Sequence, residues 1–123
     1  MAVDKNRFIS KNEITMESSG DIGSSAISVE GSNKHLLLYK QGNIVNIALN
    51  VVLTNSLAGN NALIATIPEK FRPKSSQDLT SFSTYNNSYI AATARITSSG
   101  EVKTGTGSGT FTGSYRVQDS YFI

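Results

Sequence analysis

GNIVNIALNVVLTNSLAGNNALIATIPEKFRP, residues 42–73, carries the clearest pattern in the chain. Val45, Ile47, Leu49, Val51 and Leu53 fall on one side of a two-residue repeat, with Asn46, Ala48, Asn50 and Thr54 on the other. Such a repeat sends successive side chains to opposite faces of a pleated strand, whereas a helix would scatter them around its circumference. A long strand with one face on a core is therefore predicted. NSLAGNN, residues 55–61, has the Asn and Gly content of a turn. A shorter apolar run, Ala62 to Ile67, stops at Pro68. Pro68 and Pro73 are the only two prolines in the sequence, and they bracket Glu69, Lys70, Phe71 and Arg72. Proline offers no N–H to a ladder and restricts the residue before it, so the chain is expected to leave the sheet at Pro68 and cross over in a stiff loop.

Before this stretch, Leu36–Tyr39 reads as a strand, joined to the long one by a turn at Lys40-Gln41-Gly42-Asn43. After it, polar KSSQD (74–78) leads into a strand over Leu79–Tyr85. Asn86-Asn87 is a turn, since Asn tolerates positive φ. Tyr89–Thr97 alternates again, with Ile90, Ala92, Ala94 and Ile96 expected inward. Ser98-Ser99-Gly100 turns the chain into Glu101–Lys103. GTGSG (105–109) is expected to be a loop, and Thr110–Val117 a returning strand with Phe111, Tyr115 and Val117 on one face. No window holds a useful helical period. Short strands with turn signals about every ten residues predict an all-β fold, an antiparallel, jelly-roll-like β-sandwich spanning residues 32–123. Residues 1–31 differ: Ser, Asn, Gly and single charges surround isolated apolar pairs that cannot build a private core. They are expected to form a leader or trimeric neck, with Ile14, Met16, Ile22, Ile27 and Val29 facing a shared axis.

With 123 residues the chain is expected to hold one compact domain with a short appendage. It has no Cys, which excludes disulfides and thiolate metal sites. No apolar segment follows Met1 to act as a secretory signal, and none approaches the length of a membrane span. The net charge of +2 comes from lysines and arginines spread along the chain, so nucleic acid is not an expected partner.

Candidates for catalysis are few. The single histidine, His35, has no Cys or second His to work with, so neither a nucleophilic triad nor a common zinc site is expected. Glu69, Asp78, Glu101 and Asp119 are the acids of the head; Glu69 and Asp78 flank the proline loop, but solvated or ion-paired roles suit them better than paired-carboxylate hydrolysis. GTGSG lacks the Lys-Ser/Thr and following helix of a phosphate loop. Lys70, Arg72 and Lys74 form a basic knot; Arg72, held between prolines, is read as a fastener of the crossover onto a carboxylate or backbone carbonyl. Tyr85-Asn86-Asn87-Ser88-Tyr89 brings two rings and two amides to one loop tip, the chemistry that stacks on a sugar and pairs with its hydroxyls. The competing role for Tyr85 or Tyr89 is to cap the core with the hydroxyl in water. Tyr85, Asn86, Asn87 and Tyr89, together with Asp78, are the candidate saccharide-binding residues. No catalytic residue, metal ligand or cofactor is expected.

Tyr39-x-x-Gly42 opening a Val- and Ile-rich strand, the element I-A-T-I-P-E-K-F-R-P (64–73), S-S-G-E-V (98–102) and G-S-Y (113–115) together resemble the C-terminal receptor-binding domains of tail-fibre and baseplate proteins from phages of Gram-positive bacteria. In that family a Thr-Leu-Pro-x-x-Phe/Tyr-Arg-Pro element follows two strands; here Ile67 stands where Leu is usual and Lys70 where Gly is common. The resemblance runs from about Leu36 to Val117. It implies a non-enzymatic adhesion module on the virion tail tip or baseplate, made in the host cytoplasm and released by lysis, that engages saccharide on the bacterial surface alongside other tail proteins. The alternatives are a structural baseplate or neck module without a ligand, or a small barrel for single-stranded nucleic acid. A homotrimer is expected, because the apolar pairs of the leader and the terminal Tyr121-Phe122-Ile123 exceed what one sandwich buries.

Overall fold

The computed structural model describes residues 16–85 and 88–123. Among them are ten strands: β1 Met16–Asp21, β2 Gly31–Gln41, β3 Ile44–Leu53, β4 Leu57–Asn60, β5 Leu63–Thr66, β6 Gln77–Tyr85, β7 Ser88–Ile96, β8 Glu101–Thr104, β9 Thr106–Phe111 and β10 Ser114–Phe122. Eight form one sheet in the order β1-β2-β3-β10-β6-β7-β8-β5, while β4 and β9 pair as a small second sheet. Every pairing is antiparallel, and the large sheet curls into a half-barrel, giving an all-β, sandwich-like fold.

The alternation of β3 sets the core. Val45, Ile47, Leu49, Val51 and Leu53 are all buried, packed with Leu36 and Leu38 of β2, Tyr115 and Val117 of β10, and Ile96 and Val102 across the curl. Each such side chain contributes about 1.5–3 kcal/mol by leaving water. Gln41 pairs with Ile44, so Gly42 and Asn43 form a two-residue hairpin loop, and Gly42 takes the φ of 60° that such loops demand at that position. On β7, Ala94 and Ile96 are buried as expected, but Ile90, opposite Ser83 near the hairpin end, is exposed.

The proline crossover is bolted from two sides. β5 ends at Thr66, and Glu69–Phe71 makes one 3-10 turn that drives the Phe71 ring into the core. Arg72 Nε donates to the Ile67 carbonyl at 2.8 Å, the fastening expected of it. From the other side the Tyr121 hydroxyl donates to the Phe71 carbonyl at 2.6 Å. Gly100 lies against the Arg72 guanidinium with φ 85°, and a Cβ there would sit 2.5 Å from Arg72 Nε. Only glycine takes that conformation in that space without strain.

Three regions depart from the pattern read in the sequence. Leu57–Asn60, inside the supposed NSLAGNN turn, is β4, and Thr106–Phe111, covering most of the supposed GTGSG loop, is β9. The two pair with each other, which supplies the partners their Gly-rich sequences conceal. Glycine is used here for close approach: a Cβ on Gly105 would lie 2.5 Å from Thr93 Oγ1. The strand expected over Thr110–Val117 is broken between β9 and β10, where Gly113 has φ 78° and the chain passes from the small sheet to the large one.

The N-terminal segment also lies differently. β1 pairs with β2, Ile27 bridges to Ala65 of β5, and Ser28 N donates to the Ile64 carbonyl at 2.8 Å. Ile27 and Val29, expected on a shared trimer axis, are buried in the head's own core, with Ile22 packed against it. The apolar pairs that cannot build a private core complete this one instead. Ile14 and the side chain of Met16 lie outside the described residues. At the other end Tyr121 is buried, and only Phe122 of the terminal apolar run is strongly exposed, at 67%.

Candidate functional site

The outward face of β2, β3 and β10 holds a shallow groove, built row by row from the same alternation that makes the core. Residues paired directly across antiparallel strands share a face. Tyr39 of β2 stands opposite Asn46 of β3, which stands opposite Ser120 of β10. In the next row, Leu37, Ala48 and Gln118 align in the same way. These six side chains line a groove of about 350 Å³. Tyr39 is 41% exposed, so its ring is supported by the sheet but open to solvent. Ser120 Oγ donates to Asn46 Oδ1, which orients the Asn46 amide and leaves its NH₂ group as a donor directed away from that contact. A flat ring, amides, a hydroxyl and a small apolar floor form an arrangement suited to a sugar: the ring stacks on its C–H face while the amides and hydroxyl exchange hydrogen bonds with its rim.

The groove's far wall is held by side chains doing a strand's work. β10 and β6 pair only from Tyr115 to Val117. Beyond that, Asp119 Oδ2 accepts from Thr80 N at 2.7 Å and Oδ1 from Ser120 N at 2.7 Å. The Gln77 amide then accepts from Phe122 N at 3.0 Å and donates to Phe122 O at 2.7 Å. Two side chains thus bridge strands whose backbones have parted. Deeper in, the Tyr115 hydroxyl donates to Thr93 O at 2.8 Å, and burial raises the pKa of Tyr115 above its ordinary value, with the Ser81 hydrogen bond offsetting part of the rise. Burial likewise raises that of Tyr121.

The sequence-predicted site is divided. Tyr85 ends β6 and Tyr89 is the second residue of β7, paired with Thr84, so both stand at one hairpin end as expected. Asn86 and Asn87 lie outside the described residues, as do the side chains of Tyr85 and Tyr89. Asp78 stands at the opposite end of β6, seven residues from Tyr85, about 23 Å along an extended strand. It is ion-paired with Arg95 at 3.4 Å, and the fold does not bring it next to that tip. Of the basic knot, Arg72 is committed to the crossover, while Lys70 lies 5.1 Å above the Phe71 ring and 4.0 Å from Glu17. His35 is exposed on β2 opposite Asn50. Glu101 pairs with Lys103 at 3.6 Å.

No family model matches the chain, and no curated protein matches it either.

The groove residues escaped sequence reasoning for a definite reason. Leu36–Tyr39 is an unbroken apolar run with no repeat to separate its faces, so the outward direction of Leu37 and Tyr39 emerges only from the structure. Their company was equally hidden: Ser120 meets Asn46 across 74 positions, through a neighbour relation that no local pattern encodes.

Proposed function

We propose that this chain is a non-enzymatic saccharide-binding module, the receptor-binding head of a phage tail-fibre or baseplate protein directed at the surface polysaccharide of a Gram-positive host. The observation that carries this reading is the outer groove, where the half-exposed ring of Tyr39 stands beside the hydrogen-bonded pair Asn46–Ser120, with Gln118 in the next row. The sequence resemblance around residues 64–73 supplies the biological setting. The four acids of the head have separate surroundings: Asp78 is paired with Arg95, Glu101 with Lys103, Asp119 is bonded to backbone N–H groups, and Glu69 lies exposed on the crossover. That distribution suits binding better than paired-carboxylate hydrolysis. A single shallow site binds weakly, and a homotrimer carried in several copies on a virion multiplies it by avidity without new contacts.

A panel of purified Gram-positive wall polysaccharides on a glycan array tests the reading. Wild-type protein is expected to retain at least one polysaccharide, and Tyr39→Ala to lose most of that signal while melting normally. Retention by Tyr39→Ala together with loss in Tyr89→Ala moves the site to the β6–β7 tip. Absence of any retention sinks the saccharide reading. The second reading, a structural baseplate module, is favoured by the apolar corner where Ile44 pairs with the exposed Phe122. Sedimentation equilibrium decides self-association, since a clean 13.2 kDa monomer at micromolar concentration excludes the trimer.

A further inference from the structure

Besides Tyr39, the outer face carries two exposed rings that do not line the groove: Phe122 at the end of β10, and Phe82. Phe82 of β6 stands opposite Arg116 of β10 on one side and Ala91 of β7 on the other, and is 39% exposed. Arg116 and Ser120 are both outward residues of β10, so Phe82 lies on the same face as Tyr39. The ring is not part of the core cluster, and its neighbours on that face of the strand are Thr80 and Thr84, both polar. Register fixes how the two rings are placed. From Tyr39 to Phe82 is three strand spacings across and four residues along, about 14 Å each way, so the rings stand about 20 Å apart on a diagonal. Between them runs the outward row of β10: Ser120 beside Asn46, then Gln118, then Arg116 beside Phe82. Aromatic platforms at both ends and a lane of hydroxyl, amide and guanidinium groups between them match a linear saccharide, which presents repeating apolar ring faces and a continuous edge of oxygen atoms. A single sugar cannot touch both rings; several linked sugars span the interval.

We infer that the outer face binds an internal stretch of a saccharide chain, several sugars long, laid diagonally from Tyr39 to Phe82 along β10. This rests on the saccharide reading above and adds to it the length and path of the ligand. The test uses fragments of whichever wall polysaccharide the array retains, sized by partial hydrolysis from single sugars to hexamers and titrated by fluorescence anisotropy. Affinity is expected to climb with length and to gain about tenfold when fragments become long enough to reach the second ring, the scale of one good aromatic contact. Phe82→Ala should erase that gain while leaving the shortest fragments bound as in wild type, and Phe82→Tyr should restore it. Tyr39→Ala should weaken fragments of every length. Melting curves of all three variants are expected to overlay that of the wild type. A wild-type affinity independent of length, or a Phe82→Ala protein that binds long fragments normally, overturns the inference and leaves single-sugar recognition at Tyr39 standing. If no wall polysaccharide is retained at all, the saccharide reading falls and takes this inference with it.

Discussion

The two faces of β3 share one backbone and differ in what each side chain meets. Inward, Val45, Ile47, Leu49 and Val51 join the apolar core and are sealed from water. Outward, Asn46 and Ala48 meet neighbouring strands at the same spacing, but as exposed or half-buried groups lining a groove, with Asn50 half-buried in the next row. Substitution on the inner face removes burial energy that nothing replaces. On the outer face, solvent takes over most of what is lost, leaving the proposed saccharide binding as the sensitive quantity.

The sharpest break of that contrast is Leu49→Asp against Asn50→Asp. An unpaired carboxylate in the core costs several kcal/mol, about the whole stability of a small domain, so Leu49→Asp is expected not to fold. Asn50→Asp, whose register partners are His35 and Arg116, should stay within about 1 kcal/mol of wild type in urea unfolding. Equal unfolding of both variants would mean that the faces are misassigned.

The crossover extends the inner face beyond the sheet and should behave like it. Gly100→Ala forces a side chain onto the Arg72 guanidinium at a φ of 85° and should cost about 1–3 kcal/mol, read as a fall in the urea midpoint at unchanged m-value. Arg72→Ala is expected to lose somewhat less, since it frees the Ile67 carbonyl without straining backbone, and to leave saccharide binding unchanged. Saccharide binding that falls in parallel with stability would tie the crossover to the site.

Tyr121→Phe removes the hydroxyl that satisfies the Phe71 carbonyl and should cost about 1–3 kcal/mol. The same phenol gives the fold an alkaline limit. Its pKa and that of Tyr115 are raised in the folded state, so above about pH 10 the unfolded chain releases protons that the native one keeps. Stability is therefore full below pH 10 and falls as pH rises through and beyond it. Urea midpoints measured from pH 8 to 11 should show that fall, shallower in Tyr121→Phe because one of these two buried phenols is gone.

The smallest effect on stability belongs to Tyr39→Ala, expected within about 0.5 kcal/mol of wild type because the ring stands on the open face. A large drop in melting temperature there would make Tyr39 structural and remove the groove's main platform.

The sequence by itself determined which way the side chains of β3 point. A two-residue repeat over Val45–Leu53 is complete within ten positions, so the inner face of β3 was legible without knowing any neighbour, and so was the exit at Pro68, because proline's lost N–H is a local fact. The fastening role of Arg72 followed from the same short element. What only the tertiary structure decided is which strands lie side by side. β4 and β9 hide in Asn- and Gly-rich segments with no repeat to read, and become strands because each is the other's partner, Leu57 against Phe111. Ile27 and Val29 looked ownerless until the curl of the sheet brought β5 to them. The groove joins positions 39, 46 and 120, and Asp78 is parted from Tyr85 by the length of one strand. Alternation follows from backbone geometry and acts over two residues. Strand neighbours are settled by burial of a core shared among distant segments, and that sum belongs to no single stretch of the chain.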